Sequence, residues 1–234
     1  MNAPVSPVTH KGPHPGMLAL LYTLLFCGGL YPVTLLYRQP YWPGPWEPAP
    51  VILTFFQNNS GRVLSCLVLQ FGAMVCLGLF TAAVVSRLHF LGARATGPYI
   101  ALIGGFLVVA DSFAGAMAMW TMLRPDVLAQ APLVLALYFL SYALGGPGFS
   151  VPMGLLIAGI SVTSGFMKIL PRWVVVFGLI LAVAGELSLL HLAVFPKLLF
   201  LIPLVRFPAF VWMIAVGFLL PRSRARQEPA RAAA

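Results

Sequence analysis

The chain has 234 residues, of which 60% are hydrophobic and only 8% are charged. These proportions exclude an ordinary soluble domain and a disordered chain. Fourteen Lys and Arg against five Asp and Glu give a formal net charge of +9. The positive residues are scattered among short connections and a tail, so nucleic acid is excluded as a partner. The composition predicts an all-α protein in a lipid bilayer.

Five apolar runs are long enough to cross the bilayer, which takes roughly 20 residues of α-helix. The first run is longer than the apolar region of a cleavable signal and lacks an A-x-A site, so a retained span is predicted. We expect one transmembrane domain over 17–220, between a Pro-rich tail (1–16) and a basic tail (221–234), both cytoplasmic. The runs are Met17 to Tyr37, Val63 to Ser86, Pro98 to Leu123, Trp173 to Phe195 and Leu198 to Leu220.

A further apolar stretch, Val127 to Met167, is interrupted by a Gly-Gly-Pro-Gly break at 145–148. Its length of about 41 residues is too great for one straight spanning helix and barely enough for two. Glycines can end a helix and a proline lacks a backbone donor, so two helical pieces are predicted, with Ser150 capping the second and Pro152 in its first turn. The expected fold is a polytopic bundle of six spans plus a broken or re-entrant helix, with seven spans as the alternative.

The excess of positive residues on the cytoplasmic side does not choose between these counts. Six spans with both ends inside place nine Lys and Arg inside and four outside. Seven spans with the N-terminus outside give the same nine against four. Both arrangements place the C-terminal tail in the cytoplasm, together with the connection that holds Lys168 and Arg172.

The connection between Arg38 and Arg62 carries Tyr41, Trp42 and Trp46 among prolines. Prolines oppose a regular helix, and amphipathic aromatic side chains favour the headgroup layer. We predict an irregular interfacial loop on the outer face. Membrane anchoring is the preferred interpretation of this loop, and a lid or binding loop is the alternative.

Few ionisable side chains lie inside the spans, where they are costly and therefore mark either function or tight packing. With six spans, Asp111, Glu186 and Arg206 share one layer of the membrane. With seven spans, Asp111 is displaced from that layer by roughly 10 Å, so six spans are favoured. The candidate functional residues are the polar cluster Asp111, Glu186, Arg206, His191 and Gln70, together with the helix break at Gly145, Gly146, Pro147 and Gly148.

The last two spans are predicted to form an antiparallel hairpin that turns near Pro196. Glu186 lies ten residues before this proline and Arg206 ten residues after it, so the two side chains should lie at equal depth. An arginine can engage a carboxylate through two parallel hydrogen bonds. We therefore predict an ion pair between Glu186 and Arg206.

Both intramembrane carboxylates lie on helix faces made mainly of small residues. Such faces let helices approach closely in lipid, so Asp111 and Glu186 are expected to face the interior of the bundle. These positions are Gly104, Val108, Gly115 and Ala118 around Asp111, and Gly178 and Ala182 around Glu186.

Motifs for catalysis and cofactor binding are not found. The chain has no H-E-x-x-H, G-x-S-x-G, Walker or C-x-x-C pattern. Cys27, Cys66 and Cys76 all lie in apolar runs, where free cysteines act as small apolar fillers. We expect no catalytic residue, no metal and no cofactor.

The second half of the chain carries the motif Pro171-Arg172-Trp173 after the segment GPGFSVPMGLLIAGISVTSGFMKIL. With the final span RFPAFVWMIAVGFLLPR, it resembles, over about residues 140–220, an uncharacterised family of bacterial multi-pass inner-membrane proteins classed as a domain of unknown function. The resemblance implies about six helices and a bacterial inner membrane. It implies no activity and no site residues.

Two functions are left open by the sequence. The first is a non-enzymatic accessory protein that binds a lipid or a partner, the partner being another membrane protein or a second copy of the chain. The second is a small solute or proton-coupled transporter that uses Asp111, Glu186 and Arg206. A transporter should have a water-accessible cavity that reaches Asp111 and is lined by the backbone of 145–148.

Overall fold

The computed structural model describes residues 8–34 and 36–224, of which 78% are helical. Two-residue strands, β1 (Val8–Thr9) and β2 (Ser223–Arg224), lie near the ends, and 3₁₀ turns at Tyr31–Val33 and Ser188–Leu190 extend α1 and α8. The helices are α1 (Pro15–Leu30), α2 (Ala49–Asn58), α3 (Ser60–Phe90), α4 (Gly97–Met122), α5 (Pro125–Leu128), α6 (Ala131–Gly145), α7 (Pro147–Met167), α8 (Arg172–Leu187), α9 (His191–Val194) and α10 (Leu201–Leu219).

Six helical segments of the described residues are long and apolar enough to cross a membrane. The predicted all-α membrane bundle is therefore confirmed. α3 is the longest helix, at about 46 Å, and extends beyond a hydrocarbon core of roughly 30 Å. The six segments are Pro15–Val33, Ser60–Phe90, Gly97–Met122, Ala131–Met167, Arg172–Val194 and Leu201–Leu219.

The pairing of the two strands shows whether the number of spans is even or odd. β1 pairs with β2 in antiparallel register, with Val8 opposite Arg224 and Thr9 opposite Ser223. Both ends of the described chain therefore lie at the same face, which requires an even number of crossings. Six spans are confirmed, and the seven-span alternative is wrong. We call this face the tail face, and the opposite face, which carries α2 and α5, the loop face.

The stretch broken at Gly146 is one span that runs antiparallel to α4. The Ser141 hydroxyl of α6 donates to the Gly115 carbonyl of α4, at 3.0 Å. Nearer the tail face, a Cβ on Gly104 would lie 2.6 Å from the Pro152 carbonyl oxygen of α7. Since α6 and α7 follow one another along α4, the break lies inside a single span.

The second helical piece begins earlier than the sequence predicted. α7 starts at Pro147, with Gly146 as its cap, so Ser150 lies inside the helix and is not its N-cap. The Ser150 hydroxyl is buried and has no hydrogen-bond partner. Proline suits a first helical position because the missing N–H would have no partner there, which explains the earlier start.

The proline-rich connection also differs from its prediction, because part of it is helical. α2 begins after Pro48, with Pro50 in its first turn, where proline is tolerated. The following residues contain no proline and bury Ile52, Phe55 and Phe56. The irregular segment therefore ends at Pro48, and the helix that follows it packs at the loop face.

The six spans form a closed ring in chain order, in which α10 returns to pack against α1. α7 contacts α4 and α8 extensively and also reaches α3 and α10, so it lies nearest the centre. The small-residue faces predicted around the two carboxylates are confirmed as packing faces. Gly104, Val108, Gly115, Ala118, Gly178 and Ala182 are all buried.

His10 docks the N-terminal segment on the tail face. Its Nε2 lies 3.0 Å from the Ser86 hydroxyl, and its backbone N–H donates to the Arg222 carbonyl at 2.9 Å. Burial lowers the pKa of His10 below 6.5, and the charges of Arg87 and Arg222 lower it further. His10 therefore binds a proton less readily in the folded chain than in the unfolded segment.

Acidification is expected to loosen this segment. The contribution of His10 to stability is fully present above pH 6.5 and is lost as the pH falls toward the folded pKa. Hydrogen exchange of residues 8–12, corrected for intrinsic rates, should be up to about tenfold faster at about pH 5.5 than at about pH 7.5. His10→Gln should remove this difference. An unchanged pH dependence in the variant would contradict the assignment to His10.

Candidate functional site

A cavity of about 370 Å³ lies among α1, α3, α4, α6, α7 and α10. It lies in the loop-face half of the bundle, since α1 contributes its last residues and α10 its first. We call it the central cavity. Its wall is mostly apolar with polar groups at a few points, formed by Phe26, Leu30, Val33, Thr34, Trp42, Cys66, Leu67, Gln70, Phe71, Met74, Ser112, Gly115, Ala116, Met119, Tyr138, Ser141, Tyr142, Gly145, Gly146, Phe149, Ile202, Arg206 and Phe207.

Arg206 is the one Lys or Arg among the residues that line this cavity. Its guanidinium donates to the carbonyl of Gly145, at the broken helix. Its central carbon lies 4.4 Å from the ring centroid of Phe149 and 5.5 Å from that of Phe26. Its Nε is buried and has no hydrogen-bond partner. The break in the helix thus supplies an exposed carbonyl and an aromatic face for this cation.

The predicted ion pair between Glu186 and Arg206 does not form. Arg206 bonds to Gly145, while the Glu186 Oε1 is buried without a partner. This oxygen lies 2.9 Å from the position that a Cβ on Gly154 would occupy. Glu186 therefore faces α7, whereas Arg206 faces the central cavity. Equal depth in the hairpin did not bring the two side chains to the same side.

Asp111 lies at the helix break but outside the cavity wall. Its side chain is half-buried, and its Oδ2 lies 3.4 Å from the position of a Cβ on Gly148. The glycine leaves room for the carboxylate between α4 and α7. Asp111 and Glu186 thus lie against two different glycines of α7, Gly148 and Gly154.

His191 is connected to the cavity through Tyr142. The Tyr142 hydroxyl lies 2.9 Å from the His191 Nε2, and the ring of Tyr142 lines the cavity. His191 is buried, and its Nδ1 has no hydrogen-bond partner. The histidine therefore supports a wall residue from behind.

Among the remaining candidate residues, Gln70, Gly145 and Gly146 line the cavity, whereas Pro147 and Gly148 do not. The Gln70 side chain packs beside Gly29 of α1, with its Cγ 3.1 Å from the position of a Cβ there. The structure thus brings Arg206, Gln70 and the first half of the break to one cavity.

Several wall residues were not identified from the sequence. Tyr138, Ser141 and Tyr142 lie three and four residues apart on the helix that ends at the break, and this polar stripe was a usable signal. Trp42 lines the cavity from the connection at the loop face, and its backbone N–H donates to the Val33 carbonyl at 2.8 Å. The connection that the sequence predicts to be interfacial thus contributes to the wall of the cavity.

The described residues contain no group of three or more His, Cys, Asp or Glu side chains that could hold a metal ion. The three cysteines are free, with Cys66 and Cys76 buried and Cys27 exposed. The chemistry available at the central cavity is therefore that of one guanidinium, amide and hydroxyl groups, and an apolar wall.

Comparisons with protein families, with curated proteins and with solved structures find no match to this chain.

Proposed function

We propose that this multi-pass membrane protein is a non-enzymatic accessory protein that binds a lipid or another amphiphile in the central cavity. The observation that carries the proposal is the cavity itself, about 370 Å³ of mostly apolar space within the membrane. Ligand sites in proteins have volumes of roughly 300–1,000 Å³ and combine an apolar wall with a few polar groups. The polar groups at Gln70, Ser112 and Arg206 can orient a ligand whose apolar part fills the remaining space.

Filling the cavity should abolish binding. Ala116 lines the wall from α4, and Ala116→Phe places an aromatic ring in the space of the ligand. The probe is dodecanol with a photoreactive diazirine in its chain, added to the protein in phosphatidylcholine nanodiscs. We expect adducts on cavity peptides of the natural protein, and at least a tenfold loss of these adducts in the variant. Adducts are located by mass spectrometry and normalised to those on lipid-facing peptides.

The matched control is Val211→Phe, which adds the same bulk on α10 at a position 61% exposed. This variant should keep the cavity adducts. If Ala116→Phe keeps the cavity adducts of the natural protein, the adducts do not arise from binding in the central cavity and the binding function is wrong.

Transport of a small solute is the second candidate. Gly145 and Gly146 of the broken span line the cavity, and interrupted helices form the substrate sites of many transporters. Asp111 and Glu186 lie outside the wall, so coupling to protons would have to act through the packing of α7. A flux of a small solute into proteoliposomes would favour transport over binding, provided that Asp111→Asn and Glu186→Gln each abolish it.

The proposed location is a bacterial inner membrane, as the family resemblance implies, with the tail face in the cytoplasm. Apart from Arg206, the described residues hold seven Lys and Arg at or near the tail face and four at or near the loop face, and cytoplasmic connections carry such an excess. In this orientation the central cavity lies in the outer half of the membrane. Further partners would be another membrane protein or a second copy of the chain.

A further inference from the structure

We infer that the ligand of the central cavity is an anionic amphiphile, whose carboxylate or phosphate headgroup binds Arg206 and whose tail extends toward Trp42. This inference rests on the proposed function and specifies the chemical class of its ligand. It assigns Arg206 as the residue that selects for charge.

The first step of the argument is the incomplete set of partners around Arg206. A guanidinium has five N–H donors, and the described residues provide one hydrogen bond, from the Gly145 carbonyl. The Nε is buried without a partner. The expected carboxylate, Glu186, faces α7 instead. Among the described residues, the cation therefore has no counter-ion.

The second step is the cost of that arrangement in a membrane. A charge removed from water destabilises the protein unless it is paired. The rings of Phe149 and Phe26 stabilise the guanidinium by cation–π interaction, but they do not neutralise it. An anionic headgroup would satisfy the free donors, and the planar fork of arginine matches both carboxylate and phosphate oxygens.

The third step is the distribution of polarity along the cavity. Arg206 stacks near Phe26 of α1, and Gln70 lies beside Gly29, less than one helical turn away. The amide of Gln70 is thus placed at nearly the same depth as the guanidinium. Toward the loop face, the wall is formed largely by apolar side chains such as Leu30 and Val33. A ligand with its charge at Arg206 therefore places its tail toward Trp42.

The experiment compares diazirine probes with the same twelve-carbon chain and different headgroups: carboxylate, phosphate, alcohol and trimethylammonium. Each is photolysed with the protein in phosphatidylcholine nanodiscs, and cavity adducts are normalised to lipid-facing adducts in the same sample. We expect the two anionic probes to label the cavity about 10-fold to 100-fold more than the cationic probe. The headgroup preference is measured on the natural protein and does not depend on a variant that folds.

Three variants test the residue. Arg206→Gln should reduce anionic labelling by at least tenfold and leave the alcohol unchanged, while Arg206→Lys should retain part of the preference. Arg124→Gln is the control, because Arg124 is an exposed arginine at the loop face. This variant should retain the full preference for the anionic probes. Acetate and inorganic phosphate are added as competitors, to separate an amphiphile from a free anion.

The outcomes are distinct. If the alcohol labels the cavity as strongly as the anions, and Arg206→Gln changes nothing, the ligand is not anionic and the binding function stands. If millimolar acetate or phosphate removes the labelling, the site binds a free anion, and the inference that the ligand is an amphiphile is wrong. If no probe labels the cavity of the natural protein, the binding function itself fails.

Discussion

Gly104→Ala is expected to destabilise the protein by about 2–3 kcal/mol, although it adds a single methyl group. A Cβ at this position would overlap the backbone nitrogen of Leu156 and lie 2.6 Å from the Pro152 carbonyl oxygen. These are backbone atoms of α7, so no side-chain rotation can make room. Helix association in lipid depends on close packing of this kind, and α4 and α7 would have to separate. The measurement is the free energy of unfolding in mixed micelles, with thermal midpoints as a second readout.

A glycine in the middle of another span, with free space beside it, provides the control. A Cβ on Gly72, in the middle of α3, would meet only a methyl group of Leu25 at 3.8 Å, which is ordinary contact. Alanine is favoured over glycine in a helix by roughly 0.5–1 kcal/mol, so Gly72→Ala should be neutral or stabilising. Gly159→Ala, on the other side of the same interface, should reproduce the loss, since its Cβ would lie 2.6 Å from the Ala101 nitrogen. Equal effects at Gly72 and Gly104 would refute the close-contact explanation.

Trp212→Ala is expected to cost about 3 kcal/mol or more, because it removes the largest fully buried side chain of the described residues. The indole lies between α10 and α8, where its Nε1–H donates to the Val174 carbonyl at 3.0 Å. Gly178 provides the space, since a Cβ there would lie 2.9 Å from the Trp212 Cε2. Thermal unfolding followed by size-exclusion chromatography measures the loss without using tryptophan fluorescence.

Two further variants divide this loss into packing and hydrogen bonding. Trp212→Phe retains most of the ring and removes the N–H donor, so it should cost about 1 kcal/mol. Trp173→Ala removes a tryptophan that is 57% exposed at the start of α8 and should change the midpoint little. If Trp212→Phe were as damaging as Trp212→Ala, the hydrogen bond rather than the packing would be the main contribution.

The spans could be predicted because lipid imposes a strong rule on the sequence. Every backbone polar group must be satisfied within its own helix or by a neighbour, so apolar length alone located five of the six crossings. The break at Gly146 could also be predicted from adjacent residues, since glycine and proline act through the backbone. The span count needed a contact between distant residues, the pairing of Val8 with Arg224, which hydropathy does not contain.

The predicted ion pair shows why the site was harder to predict than the fold. Counting residues from a turn gives depth, but a side chain's direction changes by about 100° with each residue. Glu186 follows Gly185, whose Cβ would lie 2.8 Å from the Ser150 carbonyl oxygen, so this part of α8 faces α7. Arg206 lies at a similar depth and faces elsewhere. The direction of each side chain depends on the packing of all six spans.

The cavity was not predictable for the same reason. Its wall combines residues from the loop-face connection and from α1, α3, α4, α6, α7 and α10, and no local pattern indicates that these positions leave space between them. What the sequence did contain was an intramembrane arginine and, 61 residues before it, a glycine break. The structure shows that these two features meet, in the bond between Arg206 and Gly145.

The closure of the helix ring has a consequence for how the protein is made. A Cβ on Gly217 of α10 would lie 2.7 Å from the carbonyl carbon of Pro15, so the first and last spans meet backbone to backbone. During synthesis, α1 enters the membrane roughly 200 residues before its partner exists, and chains are made at about 5–20 residues per second. For some tens of seconds, the face of α1 that packs against α10 therefore stays uncovered, while the contact of α1 with α3 can already form. The ring of spans can close only after α10 has inserted, when α1 gains a second neighbour beside α3.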